Sequence, residues 1–570
     1  MASKMKKQTM KITGAQAVME SLLKEQVEVI FGYPGGAIIP IYDALYDYKD
    51  KLRHVLVRHE QAAGHAAEGY ARMKGRAGVA LVTSGPGATN LVTAIADAML
   101  DSVPLVCICG QVHASLLGSD AFQEADIIGI TTPITKWNYQ ITRATEIPEV
   151  IAKAFYIAQT GRPGPVLIDI TKSAQAELLQ FSYKKVEKMV SYQPTIYPND
   201  RQIAVAAKLL NNAKKPLIIA GHGVAIAKGE KSLKAFAEKT GIPVATTLLG
   251  LSVLPTDHPL SVGMVGMHGN YGPNILTNQA DVILAIGMRF DDRVTGRLSD
   301  YAKQAKIIHI DIDPAELNKN VPADVPIVAD AKQALISLTP LIARRTHDAW
   351  ISEFSFCAKK EETIVKLPET QPKKGEITMA EVMDTLSRKT DGKAAIVADV
   401  GQNQMISARY YQYKNPDSYI TSGGLGTMGF ALPASVGAKI ASPDRVVIAI
   451  VGDGGFQMNI QELATVVQEG IVLKIIILNN SYLGMVRQWQ EMFYSERYSF
   501  VNLKNPDFVA VSKGFGIASS KVTKRKDLDT ALTTFLASKE SYVLEIAVKQ
   551  ETRIFPMIPA GASVEEILLQ

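Results

Sequence analysis

The stretch VVIAIVGDGGFQMNIQELATVVQEGIVLKIIILNN, residues 446–480, decides the fold. Two apolar runs, VVIAIV and IIIL, flank a helical pattern, and each run ends in polar residues: Gly452, Asp453, Gly454 and Gly455 after the first, Asn479 and Asn480 after the second. A strand, a helix and a strand in this order predict a parallel pair, because parallel neighbours need a long crossover. Both polar groups then reach the carboxyl edge of neighbouring strands, where open α/β sheets bind ligands. Glycines beside Asp453 let the backbone approach an anion, and a following helix start offers N–H groups to phosphate. A carboxylate and an amide oxygen are hard ligands, suited to a Mg2+ that also takes diphosphate oxygens. Each piece alone also reads as an Asp-Gly turn or an Asn cap; the spacing, with a helix between two buried strands, favours the ligand reading.

The same alternation recurs outward from this stretch. From residue 12 to about 180 the runs EVIFGYP, HVLVRH, GVALVTSG, PLVCICG and GPVLIDI alternate with helical patterns such as GATNLVTAIADAMLD. Between the polar connectors 183–200 and 366–376 lie PLIIAGHGV, IPVATT, ADVILAIGMRF and AKIIHIDIDP, and the third block adds AAIVADVG and SYVLEIAV. Strands alternating with helices predict mostly parallel sheets. The expected fold is therefore α/β, with three consecutive doubly wound parallel-sheet domains at 12–182, 198–345 and 376–548. The tail 549–570 shows no clear period until its last residues, and either wraps over a site or frays.

Composition narrows the class. At 570 residues the chain exceeds a single core. Apolar residues at 47% and charged residues at 21% match ordinary globular usage, which disfavours a disordered or fibrous chain. A net charge of +5, with no Lys/Arg block beyond the initial KMKK, gives little support to nucleic-acid binding. No apolar run approaches the roughly 18 residues of a membrane span, and MASKMKKQTM has no secretory pattern behind it. A cytoplasmic enzyme acting on small molecules is expected. Cys107 and Cys109, two apart in PLVCICG, read as small buried residues rather than metal or redox groups.

The GDG and NN pair resembles the diphosphate-binding signature of thiamine-diphosphate-dependent enzymes. That resemblance implies Mg2+ held by Asp453, Asn480 and the carbonyl of Tyr482, with Gly452, Gly454, Gly455, Gln402 and Asn403 around the cofactor's diphosphate. In TSGGLGTMGFALP (421–433) it implies a carbonyl at Gly426 for the aminopyrimidine and a supporting side chain at Met428; a plain glycine-rich helix entry is the alternative. Thiamine catalysis also needs a carboxyl group at the aminopyrimidine N1′, so that proton transfer can generate the reactive carbon. Glu60, in RHEQAAGHAAEGYA (58–71), stands where an apolar strand gives way to a helix of small residues. Alone it reads as a charge on the helix dipole, worth ~0.5 kcal/mol; beside the GDG and NN pair it reads as that carboxyl. Ala63, Gly64, Ala67 and Ala71 recur at helical spacing, either to admit a second subunit closely or for core packing.

An ordered series sharpens the resemblance: GYPGGAI, RHEQAAGHAAEGYAR, TSGPGATN, DAFQEADI, GRPGPVLIDI, RFDDRVTG and GMVRQWQ. Together these are similar to the catalytic (large) subunits of the acetohydroxyacid synthase, or acetolactate synthase, family. The resemblance implies decarboxylation of pyruvate on thiamine diphosphate and transfer of the resulting two-carbon unit to a second 2-ketoacid, pyruvate or 2-ketobutyrate, in branched-chain amino-acid biosynthesis. It implies Gln123 and Gly36 near the reacting carbons, Phe122 and Lys172 along the substrate channel, and Arg293 on the acceptor's carboxylate, for which a fork-shaped guanidinium is suited. Trp489 matches the aromatic that favours an ethyl over a methyl side chain, a methylene being worth only ~1–3 kcal/mol. A surface ion pair of Arg293 with Asp291 or Asp292, and ordinary packing of Trp489, are the plainer alternatives.

The family's middle block binds FAD, with Arg162, His268, Gly269, Arg289, Asp311 and Asp330 at matching places. From the residues themselves AGHGV is only a weak dinucleotide signal, and an acidic strand end at Asp311 or Asp313 serves a ribose hydroxyl or a helix cap equally well. The resemblance further implies a homodimer or tetramer with active sites at the subunit interface, and a separate small regulatory subunit. One departure is visible: VGQNQM carries Asn403 where the family's usual stretch has His.

Overall fold

Buried parallel strands read as unbroken apolar runs, because helices cover both faces of their sheet. In the computed structural model, which describes residues 11–570, each of the three blocks forms such a sheet, six-stranded and all parallel. The basic start MASKMKKQTM lies outside the described residues. Among those described, no helix is long and apolar enough to cross a membrane.

The first sheet runs in spatial order Arg53–Leu56, Val29–Tyr33, Gly78–Val82, Leu105–Gln111, Pro165–Thr171 and Trp137–Ile141. The third runs Tyr419–Thr421, Ala395–Ala398, Val447–Gly452, Lys474–Asn479, Tyr542–Ala547 and Ala518–Val522. In chain order within each block both read second, first, third, fourth, sixth, fifth, so the two blocks share one topology. The middle sheet differs: Ser261–Met264, Val244–Thr246, Pro216–Ala220, Val282–Ile286, Lys306–Asp311 and Val325–Val328. It reads third, second, first, fourth, fifth, sixth, the order of dinucleotide-binding sheets, whose crevice opens where the order reverses.

The described chain divides into two compact units. One holds the residues up to 193 with 424–443 and 459–471; the other holds 194–423, 444–458 and 472–570. In the first unit, helix Glu60–Lys74 ends at Gly75, whose φ of 68° suits a residue without a side chain. This helix packs along helix Ala431–Ala441 at backbone contact. A β-carbon at Gly69 would lie 1.9 Å from the Ala434 carbonyl oxygen, and one at Gly437 would lie 1.7 Å from that of Ala66. Ala63, Gly64, Ala67 and Ala71 are all buried within the single chain. The small-residue face is therefore core packing, which corrects the idea that it serves the approach of a second subunit.

In the second unit the tail is packed rather than frayed. Ile558 N–H donates to the Met267 carbonyl at 2.8 Å, Arg297 N–H donates to that of Ala562 at 2.9 Å, and Met557, Ile558 and Val564 are buried. Cys107 and Cys109 sit buried in strand Leu105–Gln111, and burial pushes both thiols up, as inert core residues require.

Candidate active site and cofactor sites

In the second unit the polar strand ends converge. Strand Val447–Gly452 pairs in parallel with Lys474–Asn479, Gly452 opposite Leu478, so Asp453 and the Asn479–Asn480 pair leave the sheet side by side at its carboxyl edge. Asp453 is 1% exposed, and burial pushes its carboxyl up against the opposing hydrogen bonds from Asn505 and nearby backbone. Asn505 Nδ2 donates to Asp453 Oδ2 at 2.6 Å and to Asn479 Oδ1 at 3.0 Å. Asn480 Nδ2 donates to Gln402 Oε1 at 3.3 Å, and Asn480 Oδ1 accepts from Tyr482 N–H at 3.2 Å. Asn403 Nδ2 donates to the carbonyls of Asp399, at 2.8 Å, and Ile450, at 3.2 Å, and so ties together the ends of two strands. A β-carbon on Gly455 would press on Asp399 Oδ1 at 2.6 Å, whereas one on Gly452 would meet nothing nearer than 3.5 Å, which leaves the strand end open. Gly454 follows in helix Asp453–Met458. A carboxylate, an amide oxygen and a backbone carbonyl are the donor set of a hard divalent cation.

In the first unit one loop gathers the candidates. The turn through Ser84, Gly85 and Gly87 touches Glu60 on one side and Gln123 on the other. A β-carbon at Gly87 would lie 3.4 Å from Glu60 Oε1, and one at Gly85, where φ is 56°, would lie 2.8 Å from the Gln123 carbonyl oxygen. Gln123 itself adopts φ 60°, uncommon for a residue with a side chain. Asn90 Nδ2 donates to Glu60 Oε2 at 2.9 Å. Thr83 Oγ1 accepts from Ala37 N–H at 3.3 Å, which brings the Gly36 turn to the same loop. Ser84 Oγ is buried with no hydrogen-bond partner. Glu60 is half-buried at the first position of its helix, and the strand end before it is fixed by Glu462, which accepts from Arg58 N–H at 3.0 Å. Burial pushes Glu462 up to about 7.

The remaining candidates of this unit stand more openly. Phe122 is 88% exposed, Lys172 and Gly36 are exposed, and Arg162 Nε donates to Ser102 Oγ at 2.8 Å. Gly426, with φ 75°, is exposed, and Met428 is half-buried in the loop before helix Ala431–Ala441. Beneath helix Glu60–Lys74 a buried cluster brings His65, Glu68 and Asp97 within 4.8 Å of one another, and Arg72, bonded to Asp101 at 2.6 Å, supplies its cation.

In the middle block of the second unit the order reverses between strands Pro216–Ala220 and Val282–Ile286. There the following turns interlock: Gly223 N–H donates to the Gly287 carbonyl at 2.8 Å, and a β-carbon at Gly221 would lie 2.3 Å from that same oxygen. His268 is buried, its Nδ1 has no hydrogen-bond partner, and burial lowers its pKa to about 3, so the ring is neutral with a nitrogen to offer. The block thus offers a dinucleotide-type strand order and, after its edge strand Ser261–Met264, a buried unpartnered ring nitrogen. Asp311 Oδ1 accepts from Asp313 N–H at 2.9 Å, and Asp330 caps helix Ala331–Leu338 by accepting from Gln333 N–H at 3.0 Å. Arg289 lies 3.7 Å from Asp291. The Arg293 side chain is 62% exposed, 3.6 Å from Asp292, and donates to Met267 Sδ at 3.2 Å. Trp489, half-buried in helix Gly484–Phe493, stacks on Phe493 at 5.0 Å between centroids.

Asn505, Asn90 and Glu462 did not emerge from the sequence. Asn505 sits in an irregular segment with no motif around it, whereas Asn90 closes TSGPGATN and was within reach as the polar end of that loop.

The chain matches three family models: the N-terminal TPP binding domain of thiamine pyrophosphate enzymes over residues 12–130, their central domain over 203–338, and their C-terminal TPP binding domain over 399–546. It is similar to the acetolactate synthase large subunit of Corynebacterium glutamicum, 47% identical over 98% of this chain and 90% of that one. It is 46% identical to the acetolactate synthase of Mycobacterium bovis, over 98% of this chain and 91% of the other. The large subunit of Lactococcus lactis is likewise 46% identical, over 98% and 96%.

Proposed function

The chain belongs to the acetolactate synthase large-subunit family of thiamine pyrophosphate enzymes, and from that premise we propose which of its residues carry the reaction. Its activity is acetolactate synthesis, a thiamine-pyrophosphate-dependent step of branched-chain amino-acid biosynthesis. Relatives named as large subunits imply a separate small subunit. Bound thiamine diphosphate supplies the electron sink that decarboxylation of a 2-ketoacid needs.

Glu60 holds and returns a proton at the aminopyrimidine nitrogen. Asn90 occupies Glu60 Oε2, which leaves Oε1 for that exchange. Asp453 and Asn480, with the Tyr482 carbonyl, hold Mg2+, and Gln402, Asn403, Gly452, Gly454 and Gly455 shape the strand ends around the diphosphate. Gly426 and Met428 support the cofactor's aminopyrimidine and its bend. Gln123 and Gly36 lie near the reacting carbons, while Phe122 and Lys172 line the approach. Arg293, exposed and only loosely paired, is free to take the carboxylate of the acceptor, pyruvate or 2-ketobutyrate. The middle block holds FAD through His268, Gly269, Arg289, Asp311 and Asp330, with Arg162 also assigned to it. Domains at 12–182, 198–345 and 376–548, a cytoplasmic location, and a homodimer or tetramer with active sites at the subunit interface complete the reading.

The observation that carries it is the carboxyl edge where Asp453, Asn480 and Gln402 are all buried, Asn480 donating to Gln402 at 3.3 Å and Asp453 accepting from Asn505 at 2.6 Å. Its test is pyruvate turnover with products identified, with and without thiamine diphosphate, Mg2+ and FAD. In the same assay Glu60→Gln is expected to bind thiamine diphosphate and make no acetolactate. Normal turnover in that variant would remove Glu60 from the mechanism.

A further inference from the structure

A nine-residue helix, Gln402–Tyr410, has its two ends at two different sites. At its start Gln402 accepts from Asn480 at 3.3 Å and Asn403 ties the strand ends behind Gly452 and Asp399. Near its end Arg409, buried, turns into the middle block. Its Nη1 donates to the Gly269 carbonyl at 2.9 Å and to that of His268 at 3.3 Å, and its Nη2 donates to Glu361 Oε1 at 2.8 Å.

Glu361 completes the grip on the same loop. Its Oε1 also accepts from Asn270 Nδ2 at 2.8 Å, and its Oε2 accepts from Tyr271 N–H at 2.7 Å. Four consecutive residues, His268 to Tyr271, are thus held by one buried ion pair. Glu361 ends helix Asp348–Glu361, which continues as a π-helical turn, Glu362–Lys366, and a last helical turn, Leu367–Thr370. In an unbroken α-helix Glu361 and Glu369 would lie roughly 80° apart around the axis. The wider π turn shifts that phase, and Glu369 accepts from Tyr410, the residue after Arg409. The connector therefore grips helix Gln402–Tyr410 at two neighbouring residues.

An isolated ion pair this deep is weak evidence for stability, since desolvation offsets much of the attraction. Its hydrogen bonds go instead to the backbone of a loop whose His268 keeps a buried nitrogen unpartnered. We propose that Arg409 and Glu361 are positioning residues that hold the 268–271 loop in its flavin-binding shape, through a helix whose other end borders the diphosphate site. This rests on the reading that the middle block binds FAD.

The test measures FAD affinity by flavin fluorescence and thiamine diphosphate affinity by circular dichroism on purified full-length protein. Removing Arg409 alone leaves Glu361 buried and uncompensated, so Arg409→Met is paired with Arg409→Met/Glu361→Gln, which leaves the site neutral. Both are expected to weaken FAD binding by at least about tenfold, the loss of a charge-assisted hydrogen bond, while thiamine diphosphate binding changes less. Arg409→Lys should recover only part of the loss, since an ammonium lacks the fork that reaches carbonyls and carboxylate together. FAD affinity unchanged in a folded double variant, or both affinities falling together with the unfolding temperature, would overturn the proposal. Failure of the unaltered protein to bind FAD would instead overturn the flavin reading beneath it.

Discussion

Asn505 Nδ2 stands 2.6 Å from Asp453 Oδ2, so a carboxylate with almost no solvent contact is oriented by an amide from a segment outside any helix or strand. The same nitrogen reaches Asn479 Oδ1 at 3.0 Å and ties two neighbouring strand ends together. Because this bond favours the ionised form while burial raises the pKa, Asn505→Ala should push Asp453 further up. Metal ligands bind deprotonated, so half-saturating Mg2+ should rise by about ten- to a hundredfold, as losses of an outer hydrogen-bond partner do. The deficit should widen as pH falls. A Mg2+ titration at fixed thiamine diphosphate, repeated at two pH values, checks both, and an unchanged midpoint would dismiss Asn505 as a positioning group.

The crossing of helices Glu60–Lys74 and Ala431–Ala441 depends on two glycines. A β-carbon at Gly437 would lie 1.7 Å from a backbone oxygen, and backbone cannot yield as a flexible side chain does. Gly437→Ala should therefore cost about 1–3 kcal/mol by overpacking, read as a lower denaturation midpoint with an unchanged slope. Since Glu60 begins one of the two helices, acetolactate formation in the surviving folded protein should fall as well. A variant as stable as the parent would show that the helices separate cheaply.

What the sequence revealed follows from how local each feature is. The strand, helix and strand of 446–480 were legible because buried parallel strands are unbroken apolar runs and their polar ends are adjacent in sequence. The thiamine assignment of Glu60 came from resemblance, since a glutamate opening a helix is common on its own. Asn505 was hidden, because its partners Asp453 and Asn479 are brought to it only by the fold of an aperiodic segment. The middle sheet was also under-read. AGHGV lacks the full glycine pattern, and the dinucleotide-type strand order is set by pairings far apart in sequence, Pro216–Ala220 against Val282–Ile286. For the same reason the small-residue face is not distinguishable from an interface in the sequence: Gly64 packs on Ala94 of helix Val92–Asp101, and Gly69 on Ala434, neighbours that only the fold supplies.

Asp169 gives the first unit a pH dependence. It is buried in strand Pro165–Thr171, accepts from Gln140 Nε2 at 2.8 Å and Gln111 Nε2 at 3.1 Å, and has Oδ1 without a partner. Burial pushes its pKa up to about 7. A carboxyl raised on folding stabilises the native state below its unfolded pKa, and that contribution is lost as pH rises through the folded value. Between pH 4 and pH 7 the stability of the parent relative to Asp169→Asn should therefore fall, by up to about 1.4 kcal/mol per pH unit. Paired denaturation curves across that window check the sign, and a parent that gains on the variant with rising pH would contradict it.

Trp489 offers the sharpest test of substrate choice. Its indole lies half-buried on helix Gly484–Phe493 and contacts the Phe493 ring with planes tilted by 42°, and we propose that it is set against the acceptor's side chain. An ethyl group gains over a methyl by about 1–3 kcal/mol in a well-fitted apolar site. Trp489→Leu removes the flat surface and keeps an apolar residue, so 2-ketobutyrate should lose several-fold of its preference over pyruvate while pyruvate turnover itself persists. Trp489→Phe, which keeps a smaller ring, should fall between the two. The measurement is the ratio of 2-aceto-2-hydroxybutyrate to acetolactate formed from a fixed mixture of the two acceptors, with the unfolding temperature recorded beside it. If the ratio stays constant while the unfolding temperature drops, Trp489 serves only its packing on Phe493.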